Sequence, residues 1–181
     1  INIATFYKKL GNIDEAKKLL RKNLVYMTFS DVQRNTRVTY LNYADCLLME
    51  KKYEEALKYY NLIEKEQTKK PDYEAIMITY CMYSLKQADN ANAYIEILDR
   101  LNAANQFSTH YLALIRFFKA YFNHQTYKEI EAAFKTAETE MEVYKFRAQY
   151  ILDVARDLMD ELANKKAPKT SRLLSDESVM I

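Results

Sequence analysis

Residues 49–60 read MEKKYEEALKYY, and the same phrasing returns as LGNIDEAKKLL at Leu10–Leu20 and as NHQTYKEIEAAF at Asn123–Phe134. In each, a large apolar residue stands three places before a small or aliphatic one, and another large apolar residue follows four places later. The triplets are Ile13-Ala16-Leu20, Tyr53-Ala56-Tyr60 and Tyr127-Ile130-Phe134. Spacings of three and four put the three side chains on one face of an α-helix. A weaker copy lies in NANAYIEILDRL (Asn90–Leu101), with Ala93 and Ile97 in the second and third places. The middle residues Ala16, Ala56, Ala93 and Ile130 are then 40, 37 and 37 residues apart, a period that signals stacked repeats. A small middle residue lets its helix approach the partner helix closely. The large residue one turn later fills the gap to the next pair.

Upstream of each triplet runs a second apolar helix with a small residue inside it. It holds Tyr40, Tyr43, Ala44 and Leu47 in the second repeat, and Met77, Tyr80, Cys81 and Ser84 in the third. Leu114, Phe117, Phe118 and Tyr121 hold it in the fourth, and Ile3, Ala4 and Tyr7 remain in the first. Helices are expected near 1–10, 13–28, 33–50, 53–68, 72–87, 90–104, 108–123 and 127–141. Ser30-Asp31 and Ser108 serve as N-caps, and Pro71 sits in a first turn. A last helix over 143–164 carries the stripe Val143, Phe146, Tyr150, Val154, Leu158 and Leu162, with Ile151, Ala155 and Met159 beside it. It is expected to pack on the fourth pair and close the stack. One glycine and two prolines in 181 residues leave no material for the turns of a sheet protein.

The pattern resembles the tetratricopeptide (TPR) repeat family over roughly residues 1–141. The resemblance implies an all-α, right-handed superhelical stack of antiparallel helix pairs, closed by the C-terminal helix. The domain is 1–164, with repeats at about 1–29, 32–69, 71–104 and 107–141 and the closing helix at 143–164. Residues 165–181 are a tail. The turn glycine of the family survives only as Gly11, with Lys51, Ala88 and Gln125 in its place, and Phe118 and Ile130 replace small residues. The resemblance also implies a concave groove lined by the first helix of each pair. Carried over, the peptide-binding candidates are Leu41, Asn42, Asp45, Ile78, Met82, Leu85, Leu112, Ile115, Lys119 and Phe122. Val38, Leu48, Met49, Ala75, Thr79 and Arg116 lie on the same face. The carboxylate clamp of chaperone-binding members is absent: Asn42 matches one of its asparagines, but Ile1 and Thr5 stand where a Lys and an Asn belong. In architecture the chain is also similar to the peptide-sensing region of Rgg/PlcR-type transcription regulators.

Composition narrows the function further. With 27 basic against 25 acidic side chains and a net charge of +2, no field draws nucleic acid or an anionic membrane. No apolar run nears the roughly 20 residues a bilayer requires and no signal peptide is visible, which implies a cytoplasmic chain. Cys46 and Cys81 are isolated and read as buried, reduced thiols. His110 and His124 have no acidic or thiol neighbours at ligand spacing, so no metal or cofactor is expected. No glycine-dependent catalytic motif is present, and the chain reads as a non-enzyme. Most of its sixteen tyrosines read as packing residues. The pattern is already helical at Ile1, which suggests a piece of a longer chain. The tail, with Leu173, Leu174, Val179, Met180 and Ile181 around Ser175–Ser178, reads as either a docking segment or a cap on the last helix. The function expected is binding of a peptide or protein segment in the groove, as a sensing region of a regulator or as a scaffold or structural subunit, with homodimerisation left open.

Overall fold

A computed structural model describes residues 2–29, 36–65, 73–104, 111–142 and 145–166. Those residues form α1 (Asn2–Lys9), α2 (Ile13–Phe29), α3 (Thr36–Met49), α4 (Tyr53–Lys65) and α5 (Tyr73–Ser84). Then follow α6 (Ala88–Ala103), α7 (Leu112–Phe122), α8 (Tyr127–Met141) and α9 (Lys145–Lys166). No described helix is long and apolar enough to cross a membrane. The expected caps at Ser30-Asp31 and Ser108, the break at Pro71 and the tail beyond 166 lie outside the described residues.

Consecutive helices make four antiparallel pairs, and all four pairs turn in the same way. Gly11, Lys51, Lys86 and His124 have φ of 75°, 61°, 60° and 55°. Each donates its amide to the carbonyl three residues back (Lys8, Leu48, Tyr83 and Tyr121), and the next amide donates to the carbonyl five residues back (Tyr7, Leu47, Met82 and Ala120). This double bond caps the free carbonyls of the first helix and needs a left-handed residue. The expected turn positions Ala88 and Gln125 are therefore displaced to Lys86 and His124. The fourth turn also carries one extra residue, and there Thr126 caps α8 with a reciprocal Thr126–Glu129 capping box. A left-handed side-chain residue costs about 1–2 kcal/mol, part of which glycine recovers. The triple variant Lys51→Gly, Lys86→Gly, His124→Gly is expected to gain about 1–2 kcal/mol, a thermal midpoint higher by about 3–6 °C. An unchanged or lower midpoint in a melting scan contradicts the shared turn.

The same turn fixes the register of the second helices. Ala16, Ala56, Ala91 and Ile130 each donate the amide to the residue that opens their helix, Asn12, Lys52, Gln87 and Thr126. All four are buried, with Leu20, Tyr60 and Ile95 one turn on. In the third pair the small residue is thus Ala91, backed by Ile95 and Leu98, and not Ala93 with Ile97. Ala93 is exposed and Ile97 keeps 44% of its surface. Two alanines two residues apart each have an isoleucine four places on, so helical spacing alone does not choose between them; the turn does.

Within and between pairs, packing mixes apolar contact with a few buried polar ties. Tyr60, on α4, has no exposed surface and donates to Asp45 on α3 at 2.7 Å. Burial, and then the charge of Asp45, holds its hydroxyl well above the usual tyrosine range, so it stays a donor. Asp45 also pairs with Lys8 of α1 at 2.7 Å, which joins three helices through one carboxylate. Lys17 of α2, nearly buried, is bonded to Glu50 at the end of α3, and Lys52 stands 3.0 Å from the second Glu50 oxygen as an ion pair. Rings carry much of the remaining contact: Tyr43 meets Tyr59, Tyr80 meets Phe118, Phe117 meets Phe134, and Tyr83 stacks on Phe122 at 5.0 Å.

Cys46 on α3 and Cys81 on α5 are free and fully buried. Burial pushes their thiols up to about 11 and about 12. At pH 8 native labelling is expected to run at least 100-fold slower than in denaturant, by roughly the fraction of thiolate lost and the shielding together. Rapid labelling of both thiols in the folded chain contradicts this placement.

α9 packs against α8 and α7. Its buried residues are Ala148, Ile151, Leu152, Ala155 and Met159, whereas Tyr150, Val154, Leu158 and Leu162 are only half-buried. The helix is thus rotated from the expected stripe, which had put Tyr150, Val154 and Leu158 at its centre; the side chains of Val143 and Phe146 lie outside the described residues. Arg156 ties α9 to Glu138 of α8 at 3.0 Å.

Candidate binding cleft

Rotation of α9 turns Gln149, Tyr150 and Asp153 toward the first two pairs and opens a cleft between them. Its volume is about 540 Å³, and its walls are α1 (Thr5, Lys8, Lys9), α3 (Arg37, Val38, Leu41, Asn42, Asp45, Met49), Tyr73 of α5, and these three residues of α9. Most of the lining is apolar, from Val38, Leu41, Met49 and the two tyrosine rings.

The polar groups at its base are held by the fold. Lys8 donates to Asn42 Oδ1 at 2.9 Å and to Asp45 at 2.7 Å, and Asn42 Nδ2 donates to the Val38 carbonyl at 2.8 Å. Arg37 Nη2 donates to both oxygens of the buried Glu74, at 2.9 and 3.2 Å. Asp153 accepts from Gln149 at 2.6 Å and from Arg156 at 2.9 Å. Tyr150 keeps its proton, its pKa pushed up to about 12 by burial and then by the neighbouring Tyr53 and Asp45. Burial, with Asp45 next, likewise holds Tyr73 well above the usual tyrosine range. The cleft therefore offers apolar side-chain pockets, two protonated phenols and a rim of Lys9, Arg37 and Asp153. Such a surface suits an uncharged or amphipathic chain segment better than a charged small molecule.

Of the groove residues expected from sequence, Leu41, Asn42 and Asp45 line this cleft, as do Val38 and Met49 from the same face. Ile78 and Ile115 have no exposed surface and Leu112 has 3%, so no ligand touches the first two. In α5 ten of twelve residues are buried, and of that helix only Tyr73, at its start, reaches the cleft. Leu48, Ala75 and Thr79 are buried with them. Met82, Leu85, Lys119 and Phe122 are half-buried and outside the cleft, Phe122 being stacked on Tyr83. Leu112 and Arg116 edge a smaller depression of about 390 Å³ between α6, α7 and α8. Thr5, at the position of a clamp asparagine, also lines the cleft, whereas Lys8, Lys9, Arg37, Tyr73, Gln149, Tyr150 and Asp153 are not among the residues expected at the site. The one sequence signal for the α9 group is the apolar face of that helix, expected only to close the stack. Among the described residues no three His, Cys, Asp or Glu side chains gather as a metal site.

Residues 1–63 match the family model of the tetratricopeptide repeat. The match takes in the first two helix pairs, hence the α1 and α3 walls of the cleft. No curated protein and no solved structure matches the chain. Past residue 63, the turns at Lys86 and His124 repeat the geometry of those at Gly11 and Lys51.

Proposed function

Given tetratricopeptide repeats, which mediate contacts between proteins, we propose that this chain binds a protein segment in the cleft between α1, α3 and α9. The observation that carries the reading is the lining itself: apolar side chains open to the cleft (Val38 39% exposed, Leu41 and Met49 half-buried) over a polar base whose hydrogen bonds are already made. A segment that inserts apolar side chains gains burial there and strands no base polar group. The role proposed is binding without catalysis. The narrower reading, a peptide sensor within a transcription regulator, requires a DNA-binding domain in the parent gene upstream of Ile1; a scaffold or structural subunit requires none.

Peptides selected against the folded chain from a random dodecamer display library test the proposal. Val38→Glu, at a position exposed enough to tolerate charge, is expected to weaken the selected peptides at least about 30-fold, the effect of losing an interface hot spot. Arg116→Glu, in the smaller depression, is expected to leave them unchanged. Peptides indifferent to Val38→Glu, or sensitive only to Arg116→Glu, place the binding site elsewhere.

A further inference from the structure

Residues 167–181, outside the described residues, read APKTSRLLSDESVMI. By chemistry they divide into a basic stretch with Lys169 and Arg172, the apolar pair Leu173-Leu174, the acidic pair Asp176-Glu177 and the apolar run Val179–Ile181. The described residues offer a complement to each. Asp153, Asp157 and Glu161 follow Tyr150 at spacings of three and four, so they share one face of α9, with Asp160 beside them. All four acids are exposed. Asp153 and Glu161 are paired within α9, to Arg156 and Lys165, whereas Asp157 and Asp160 enter no ion pair among the described residues. At its N-terminal turns this face meets the cleft, with Val38, Leu41 and Met49 as apolar lining and Lys9 and Arg37 on the rim. Arg37 holds Glu74 through Nη2 and still keeps 45% of its side-chain surface exposed.

We propose that residues 167–181 turn back along the acidic face of α9 and seat Leu173 and Leu174 in the cleft of the same chain, as a built-in competitor for the partner segment. The proposal rests on the cleft being the binding site. Reach and charge order both support this occupant. The helix from Asp153 to Lys166 is about 20 Å long, at roughly 1.5 Å per residue. Leu173 and Leu174 lie seven and eight residues past Lys166, which extended chain spans in about 23–28 Å. They therefore arrive at the cleft with little slack. On the way Lys169 and Arg172 pass the acids of α9, and Asp176 and Glu177 come to the basic rim. A segment tethered at a matching length is present at an effective concentration on the order of 1 mM. Even a dissociation constant of roughly 100 µM then fills most clefts and weakens a competing peptide about 10-fold.

The affinity of the full chain for the display-selected peptides, read by fluorescence anisotropy, tests this. Leu173→Asp with Leu174→Asp is expected to bind them about 10-fold more tightly than the parent. Asp157→Lys with Asp160→Lys, on exposed surface, should gain about 3-fold, the worth of two exposed charge pairs. A synthetic 167–181 peptide is expected to bind the Leu173→Asp, Leu174→Asp chain, and adding Val38→Glu to that chain should abolish the binding. Unchanged affinity in both double variants, or a synthetic segment that fails to bind, overturns the proposal and leaves Leu173 and Leu174 as a cover for the end of α9. The cleft itself then still stands if the selected peptides respond to Val38→Glu. Gains that grow with chain concentration overturn seating in the same chain, by placing the segment in a second copy. Selected peptides indifferent to Val38→Glu overturn the cleft reading, and this proposal with it.

Discussion

Tyr60→Ala is expected to destabilise the chain by about 4 kcal/mol, the usual cost of removing a fully buried aromatic side chain. In a chain of this size that lowers the thermal midpoint by about 8–16 °C. Tyr60 plugs the space between the second and third pairs with no exposed surface, and its hydroxyl is one of two donors to Asp45. Tyr60→Phe separates the two roles. The ring stays, one bond to a carboxylate is lost, and Lys8 still satisfies Asp45, so a loss of about 1.5 kcal/mol is expected. Equal damage from Phe and Ala would assign the whole effect to the hydrogen bond. Harmless variants would mean that Tyr60 is not between the pairs.

Ala56→Leu is expected to cost about 2–3 kcal/mol by overpacking, since Ala56 on α4 has no free surface. Ala91→Leu should behave likewise in the third pair. Ala93→Leu, two residues on and exposed, should stay within about 0.5 kcal/mol of the parent. Thermal melts of the three variants read the register directly: a costly Ala93→Leu with a neutral Ala91→Leu would restore the 37-residue spacing and contradict the turn at Lys86.

How the sequence led to most of the fold, and where it stopped, follows from these residues. Helical spacing and a near-absence of glycine and proline made the helices and their pairing legible, because both are local properties. Register in the third pair was not, since Ala91 and Ala93 are equally spaced from an isoleucine and the deciding feature is a left-handed lysine, which composition does not advertise. The site was legible only in part. Leu41, Asn42 and Asp45 stand at the cleft because α3 has a neighbour on one side of the groove and open space on the other. The equivalent face of α5 reads the same in sequence but is buried, a consequence of how the later pairs and α9 pack, which no local pattern encodes. The wall from α9 was missed for a related reason. That helix has apolar residues at Tyr150, Ile151, Leu152, Val154, Ala155, Leu158 and Met159, more than one face can hold, and packing on α7 and α8 chose the Ile151–Ala155–Met159 face.

Amide hydrogen exchange on the chain saturated with its tightest selected peptide tests most directly whether the α1–α3–α9 cleft is where this stack holds its partner. Slowed exchange is expected in α3 and in the first turns of α9, around Gln149–Asp153, with α6 and α8 unchanged. Protection confined to α6–α8, or none in α3 and α9 under saturating peptide, would contradict it.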